Sequence, residues 1–290
     1  MEPKEKTVSN DFRSDKIFLI VICGLCVLLF YSPFKFMIDK WITEFDSSYS
    51  PGPFAPIVSG YIIWKKRDIL KSIEDKPSIW GLAIVIPFLI LHIIGQIGDL
   101  QQISIFSFIC ILAGLSVFLK GWIFTYEVLF PIGFLFFMIP MGFLDTMVGV
   151  PLRMVASNWA AVILEMMGFE VIRIGTQIQL VGLFAFDVAA PCSGLKSLVS
   201  LIALGLAFAY LSEKNNWKRT IIILSSVPIA IFANIIRIVL IGLIAVSFGE
   251  KLALGFFHSF SGFFLFGFAL FALAGIGRIL SWKKEDLINI

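Results

Sequence analysis

The chain has little charge. Only 15% of its 290 residues are charged, whereas 59% are hydrophobic and the mean hydropathy is +0.95. Soluble globular proteins are about 25% charged and about half apolar, so this composition excludes a soluble enzyme and predicts an all-α, polytopic membrane protein. The net charge of +3 is small and its charges lie in loops, which argues against a nucleic-acid partner.

Cysteine and metal-binding motifs are also scarce. The four cysteines are Cys23, Cys26, Cys110 and Cys192, and the first three lie in apolar runs, so neither a disulfide framework nor a zinc pattern is indicated. The absence of a His-Glu-x-x-His sequence disfavours a zinc-dependent intramembrane protease. We therefore expect no metal and no cofactor. The first apolar run lacks a small-x-small cleavage site, which favours an uncleaved span over a signal peptide.

The apolar runs predict about eight transmembrane helices. A cytoplasmic tail (1–16) precedes a single transmembrane domain (17–290). Placing both termini in the cytoplasm puts the basic loops inside. The 54–70 run is long enough to span only if Lys65, Lys66 and Arg67 extend to the interface from one helix; a re-entrant segment is the alternative. The expected spans are 17–34, 54–70, 79–97, 103–119, 128–144, 193–211, 220–248 and 252–279.

The region between spans five and six, about 145–191, should lie outside the membrane. Residues 147–167 have mixed polarity, which suits an amphipathic helix lying at the outer interface. Residues 171–180 alternate in polarity and 183–188 can pair with them, with breaks at Gly175-Thr176 and Val181-Gly182, so a small β-hairpin is predicted. Because strands cannot lie bare in lipid, this hairpin should sit above the outer surface or against the bundle.

Three reactive side chains fall at the same outer depth in the spans predicted from about 192 to 282. Cys192 lies at the outer start of the sixth span, where the free N–H groups of a helix N-terminus favour a thiolate. Arg237 is 18 residues past Arg219, or about 27 Å along a helix. His258 is about one and a half turns past Lys251, or roughly 10 Å. A thiolate nucleophile, an imidazole acid/base and a guanidinium that stabilises an oxyanion together suit acyl transfer.

Five further residues are candidates for supporting roles. Asn234 lies three residues before Arg237, and Ser261 three after His258, so each can orient its neighbour. Lys196 either tunes Cys192 or meets a headgroup, and Asp187 either orients His258 or, as we favour, caps the hairpin. Ser193 directly follows Cys192. Each of the three reactive side chains also has a purely structural alternative. Cys192 and His258 would be packed core residues, and Arg237 would extend to the outer headgroups.

The ordered motifs in the last three spans resemble the exosortase/archaeosortase family. They are Pro191-Cys-Ser-Gly-Leu195, then Asn234-Ile-Ile-Arg237, then His258 followed by Gly262. The early region from Trp41 through Ser50-Pro-Gly52 to Arg67 is also similar, although the family often has Ser-His-Gly where this chain has Ser-Pro-Gly. The similarity extends over about residues 41–280.

The resemblance implies a membrane-embedded cysteine transpeptidase in the cytoplasmic membrane, with its site at the outer face. Its partners would be exported proteins that end in a short motif, an apolar helix and a basic tail, together with membrane lipids and a lipid or glycan acceptor. Cys192 would form a thioester, His258 would transfer protons, and Arg237 would stabilise the oxyanion or position the motif. Two alternatives stay open: a transporter or flippase that binds an anionic substrate through Arg237 and His258, and a non-enzymatic assembly factor.

Overall fold

The computed structural model describes the greater part of the chain in two compact units. The first unit comprises residues 1–40 and 67–139, and the second comprises residues 41–66 and 140–290. The described residues are 21, 24–43, 52–140, 145–182, 184–187, 195–213, 215–249 and 267–279.

Antiparallel helices form the first unit. Residues 24–29 are helical, and they are followed by α1 (Tyr31–Thr43), α3 (Arg67–Ser72), α4 (Trp80–Ile97), α5 (Gln101–Lys120) and α6 (Trp122–Phe134), which a 3₁₀ turn continues to Met138. Helices α4 and α5 pack along their length around Phe30, Val85 and Ile111. His92 is 2% exposed, and its ring centroid lies 4.2 Å from that of Phe30, so this histidine belongs to the packed interior of the unit.

The second unit contains the remaining helices and the sheet. Its elements are α2 (Phe54–Lys65), a π-helical turn (Asp145–Gly149), α7 (Val150–Met166), β1 (Val171–Ile174), β2 (Gln177–Leu180), β3 (Phe184–Asp187), α8 (Leu195–Ser212), α9 (Asn216–Phe248) and α10 (Gly267–Ile279). One apolar cluster joins α7, β2 and α9 through Leu164, Ile178, Leu180, Ile238 and Ile241. The sheet is therefore fixed to the same face of α9 as α7.

Among the described residues, four helices are long and apolar enough to cross a membrane, namely Trp80–Ile97, Gln101–Lys120, Met147–Met166 and Asn216–Phe248. Shorter apolar helices cover Trp122–Met138, Val199–Ser212 and Gly267–Ile279. These helices confirm a multi-pass membrane protein that is mostly helical. The count of eight spans stays a prediction, as does the interfacial position of residues 147–167, since that helix has the length and composition of a span.

Several expected boundaries differ from the observed ones; α1, for example, runs on to Thr43, past the end expected at residue 34. Residues 54–70 do not form one helix, because α2 ends at Lys65 and α3 begins at Arg67. The 12 residues of α2 are about 18 Å long, well short of a 30 Å hydrocarbon core. The helix expected to begin at Val128 begins instead at Trp122, because Gly121 ends α5 and the chain turns at once into α6. Tyr126 and Glu127 are accommodated within α6.

The predicted hairpin is confirmed in part, since the sheet has three antiparallel strands in the order β1-β2-β3. The 171–180 segment folds back at Gly175-Thr176, which pairs Ile174 with Gln177. Gly175 takes φ = 64° at the first central position of this two-residue turn, where a type II′ turn requires glycine. The third strand pairs Leu180 with Phe184 and Gln177 with Asp187.

Replacement of Gly121 by alanine should destabilise the first unit strongly. Gly121 has φ = 90° and ψ = 178°, a backbone region essentially restricted to glycine. A methyl group here would collide with the carbonyl oxygen of Lys76, in the loop held to α5 by the Lys76 N–H···O=C Lys120 bond (3.2 Å). Backbone strain and overpacking together predict a loss of about 2–6 kcal/mol, measurable by thermal unfolding in detergent.

Gly133→Ala is the matched control, because an added methyl there meets no atom within 4 Å and lies in helix α6. Alanine favours a helix over glycine by about 1 kcal/mol, so this variant should unfold at or above the wild-type temperature. Equal losses in both variants would show that the Gly121 turn has no special role.

Candidate functional site

Arg237 and Asn234 lie on α9 in the interior of the second unit. Their exposed fractions are 8% and 2%. They are separated by three residues and so share one face of the helix. An arginine is rarely buried in an apolar helix, because desolvation of its charge is costly, so a buried arginine marks a functional candidate.

Two turns before Arg237, the same stripe of α9 packs against α8 and α10. Ile222 clusters with Ala209 and Leu273, and Ala230 clusters with Leu201 and Ala269. Between these levels, a methyl group added to Gly205 would lie 3.1 Å from Ser226 Cβ. Each step of four residues forward along α9 therefore corresponds to a step of four backward along α8, so the two helices are antiparallel in a fixed register. Arg237 lies two turns beyond Ala230 on the same stripe.

The opposite end of the helix pair is marked by basic and aromatic residues. The Tyr210 ring lies 5.2 Å from Lys66 Nζ and 4.7 Å from Arg219 Cζ, measured to the ring centroid. Arg219 Nε donates to the carbonyl oxygen of Glu213 at 2.7 Å. Helix α9 is continuous from Asn216 to Phe248. Its rise of 1.5 Å per residue therefore separates Arg237 from Arg219 by about 27 Å, nearly the thickness of a hydrocarbon core.

The other six predicted site residues have fewer structural data. Lys196 is the second residue of α8 and Asp187 is the last residue of β3. Cys192, Ser193, His258 and Ser261 lie outside the described residues. In the sequence, Cys192 is three residues before Leu195, the first described residue of α8, and His258 is nine before Gly267, the first of α10. The structure thus describes the buried Arg237–Asn234 pair and the two helices that follow Cys192 and His258.

Two polar features near this region were not anticipated from the sequence. Ser157 of α7 is fully buried, and its hydroxyl lies 3.1 Å from the carbonyl oxygen of Met154 in its own helix and 3.4 Å from that of Gly175 in the β1–β2 turn. The second of these contacts joins the sheet to α7. Ser200, on the second turn of α8, is 6% exposed. Both are small hydroxyl residues in apolar helices. Their burial could have been predicted only from the recurrence of such small residues at helical spacing.

The described residues contain no group of three or more His, Cys, Asp or Glu side chains that could hold a metal ion. The buried pair offers a guanidinium, which can only donate hydrogen bonds, and an amide, which can donate and accept. Such a pair is suited to hold a carbonyl or an anionic oxygen.

The sequence profile of the transmembrane exosortase family matches residues 41–275, that is 235 of the 290 residues. No curated protein and no solved structure matches the chain. The match includes Cys192, Arg237 and His258 and ends within α10. Because the profile extends over most of the chain, this multi-pass membrane protein belongs to the transmembrane exosortase family.

Proposed function

We propose that this exosortase cleaves the C-terminal sorting segment of exported proteins through a thioester on Cys192. Membership of the family supports a membrane transpeptidase or sorting role in general. The finer assignment of nucleophile, acid/base and oxyanion donor is our proposal. The observation that carries it is the burial of Arg237, which is 8% exposed, within the apolar helix α9.

The register between helices supports bringing Cys192 and His258 to Arg237. Ala230 is level with Leu201 and with Ala269. From Ile222 to Ala230, the contacts move back from Ala209 to Leu201 on α8 and from Leu273 to Ala269 on α10, so moving on toward Arg237 leads toward the N-terminal ends of both partners. In the sequence, Cys192 precedes the first described residue of α8 by three residues, and His258 precedes that of α10 by nine.

In the proposed reaction, the Cys192 thiolate attacks the carbonyl carbon of the scissile peptide bond. The resulting oxyanion accepts hydrogen bonds from the Arg237 guanidinium. His258 donates a proton to the leaving amine as the C–N bond breaks, which leaves the acyl group on sulfur as a thioester. An acceptor (water, an amine or a lipid or glycan group) then loses its proton to His258 and attacks the thioester. This second step returns the Cys192 sulfur to its starting state.

The remaining candidates have positioning roles in this scheme. Asn234 is 2% exposed and lies one turn from Arg237, so it is placed to orient the guanidinium. Lys196, four residues after Cys192, adds positive charge that favours the thiolate. Ser261 would orient His258, Ser193 would line the site beside the thiol, and Asp187 would cap the last strand. We place the reaction at the outer face of the cytoplasmic membrane because the basic end of the α8–α9 pair, at Lys218 and Arg219, should face inside.

The proposed substrates are exported proteins whose C-termini carry a short motif, an apolar helix and a basic tail. The test is a strain that lacks this enzyme, with and without a plasmid that restores it, in which C-termini of membrane and exported proteins are mapped by mass spectrometry. We expect a set of proteins that keep their apolar helix only in the deletion strain. If no C-terminus changes while uptake or export of an anionic solute does, the transporter alternative is correct and the proposal fails.

A further inference from the structure

We propose that the outer edge of β3 (Phe184–Asp187) binds an extended segment of the substrate as an added strand, next to the bond that is cleaved. This inference rests on the proposed function, since it names how the exported protein is held beside Cys192. It is carried by the hydrogen-bond pattern of the sheet and by the position of β3 in the sequence.

The direction of each backbone group follows from the β1–β2 turn. In a two-residue hairpin the closing pair exchanges both hydrogen bonds, and pairs then alternate between bonded and non-bonded. Ile174–Gln177 is the closing pair, so Ile172–Gln179 is bonded as well. The Val181 N–H···O=C Glu170 bond, at 2.9 Å, continues the same alternation. Ile178 and Leu180 therefore direct their backbone groups to the other side of β2, toward β3.

The outer edge of β3 follows from its register with β2. Ile178 pairs with Phe186, and Leu180 pairs with Phe184, so these two β3 residues use their N–H and C=O groups toward β2. Ala185 and Asp187 then direct theirs away from the sheet. Within the part of the chain that the structure describes, β3 pairs with β2 alone. An edge with aligned, outward N–H and C=O groups is a template for a further strand.

Continuity with the proposed nucleophile identifies the occupant as the substrate. Asp187 is five residues before Cys192, and five residues of chain extend at most about 17 Å. A strand added to β3 would lie about 4.8 Å from it. The peptide carbonyl groups of that added strand would therefore be no farther from β3 than the five-residue connection to Cys192 can reach. Main-chain hydrogen bonds depend little on side chains, so this edge suits an extended peptide segment. Lipid cannot satisfy backbone groups, which disfavours an acyl chain as the occupant.

The test is Ala185→Pro, in a protein whose processing requires the wild-type enzyme. Proline removes the outward N–H and places a ring in the path of an added strand, yet it keeps the bonds between β3 and β2. Processing should fall about tenfold or more, since a strand loses both a hydrogen bond and its close approach. The matched control is Arg173→Pro on β1, because the same alternation directs the Arg173 N–H away from β2. A second control, Arg173→Ala, measures the effect of losing the exposed arginine side chain alone. Both controls should process at near the wild-type rate.

Crosslinking provides a second measurement in case the proline variant fails to fold. The enzyme carries Ala185→Cys in a Cys192→Ser background, and single cysteines are placed one at a time along the substrate segment. Disulfides should form at every second substrate position, because side chains on one face of a strand recur every two residues. Arg173→Cys should give none of this pattern. Unchanged processing by a folded Ala185→Pro enzyme, or crosslinks without a two-residue period, would overturn the docking site. Processing that survives Cys192→Ala would instead overturn the proposed function itself.

Discussion

Cys192→Ala should abolish processing of exported proteins while leaving the enzyme folded in the membrane. Without the sulfur there is no nucleophile to form the acyl-enzyme, and loss of a catalytic nucleophile lowers turnover by a factor on the order of 10⁴ to 10⁶. The measurement is the rate at which a tagged substrate loses its C-terminal helix, normalised to the amount of folded enzyme. Neutral hydroxylamine, which cleaves thioesters, should release the acyl fragment from the wild-type enzyme but recover none from the variant.

Cys110→Ala provides the matched control for this change. Cys110 is half-buried in α5 of the first unit, so its replacement tests the general cost of losing a thiol from an apolar helix. Its processing rate should stay within about twofold of the wild-type rate. Cys192→Ser tests the chemistry further, because a hydroxyl is a weaker nucleophile at its ordinary pKa. Full activity of the serine variant would favour a transporter and contradict the thioester.

Arg237→Gln should lower the turnover of processing by about 10²- to 10³-fold, which is the usual effect of removing one oxyanion donor. Glutamine approximates part of the arginine side chain but lacks the charge and the forked donor geometry. Arg237→Lys should recover only a fraction of the rate, because an ammonium group cannot donate two parallel hydrogen bonds. The turnover number should fall more than the Michaelis constant rises, since the interaction forms in the transition state.

Arg219→Gln separates this effect from simple destabilisation of α9. Arg219 lies on the same helix and donates to the carbonyl oxygens of Glu213 (2.7 Å) and Tyr210 (3.4 Å) at the other end. Its loss should lower the unfolding temperature but leave the rate per folded enzyme unchanged. If Arg237→Gln behaves in the same way, with a lower unfolding temperature and a normal rate, Arg237 is structural and the oxyanion role is wrong.

Apolar runs in the sequence predicted the helical membrane architecture, because every span in lipid must satisfy its backbone hydrogen bonds internally. They placed α4, α5 and α9 within a few residues of their observed bounds. They failed at Trp122, where Tyr126 and Glu127 interrupted the apolar run although the backbone stays helical. They also failed at Lys66, where the continuous helix expected through residue 70 breaks, because hydropathy does not register a local backbone turn.

The sequence could predict those site residues that are rare in apolar segments. Arg237 was identified because a charge is costly in a membrane span, and its side chain is buried. The contact of Lys66 with Tyr210 was not identified, because it joins residues that lie far apart in sequence. The same applies to the Ser157–Gly175 bond, since its acceptor is a backbone carbonyl that any residue would supply.

The length of α9 bears on which bond the enzyme selects. Its 33 residues extend about 50 Å, whereas the hydrocarbon core is about 30 Å thick. In the orientation that we propose, with Arg219 at the inner surface, the core ends near residue 239, and the remaining turns carry Ile241 and Ala245, which pack in the cluster that holds β2. The sheet is thus attached to a rigid helix at a set height and not to a flexible loop. If substrates are anchored by their own helix, as we propose, the enzyme would select a peptide bond by its distance from the bilayer as well as by its sequence.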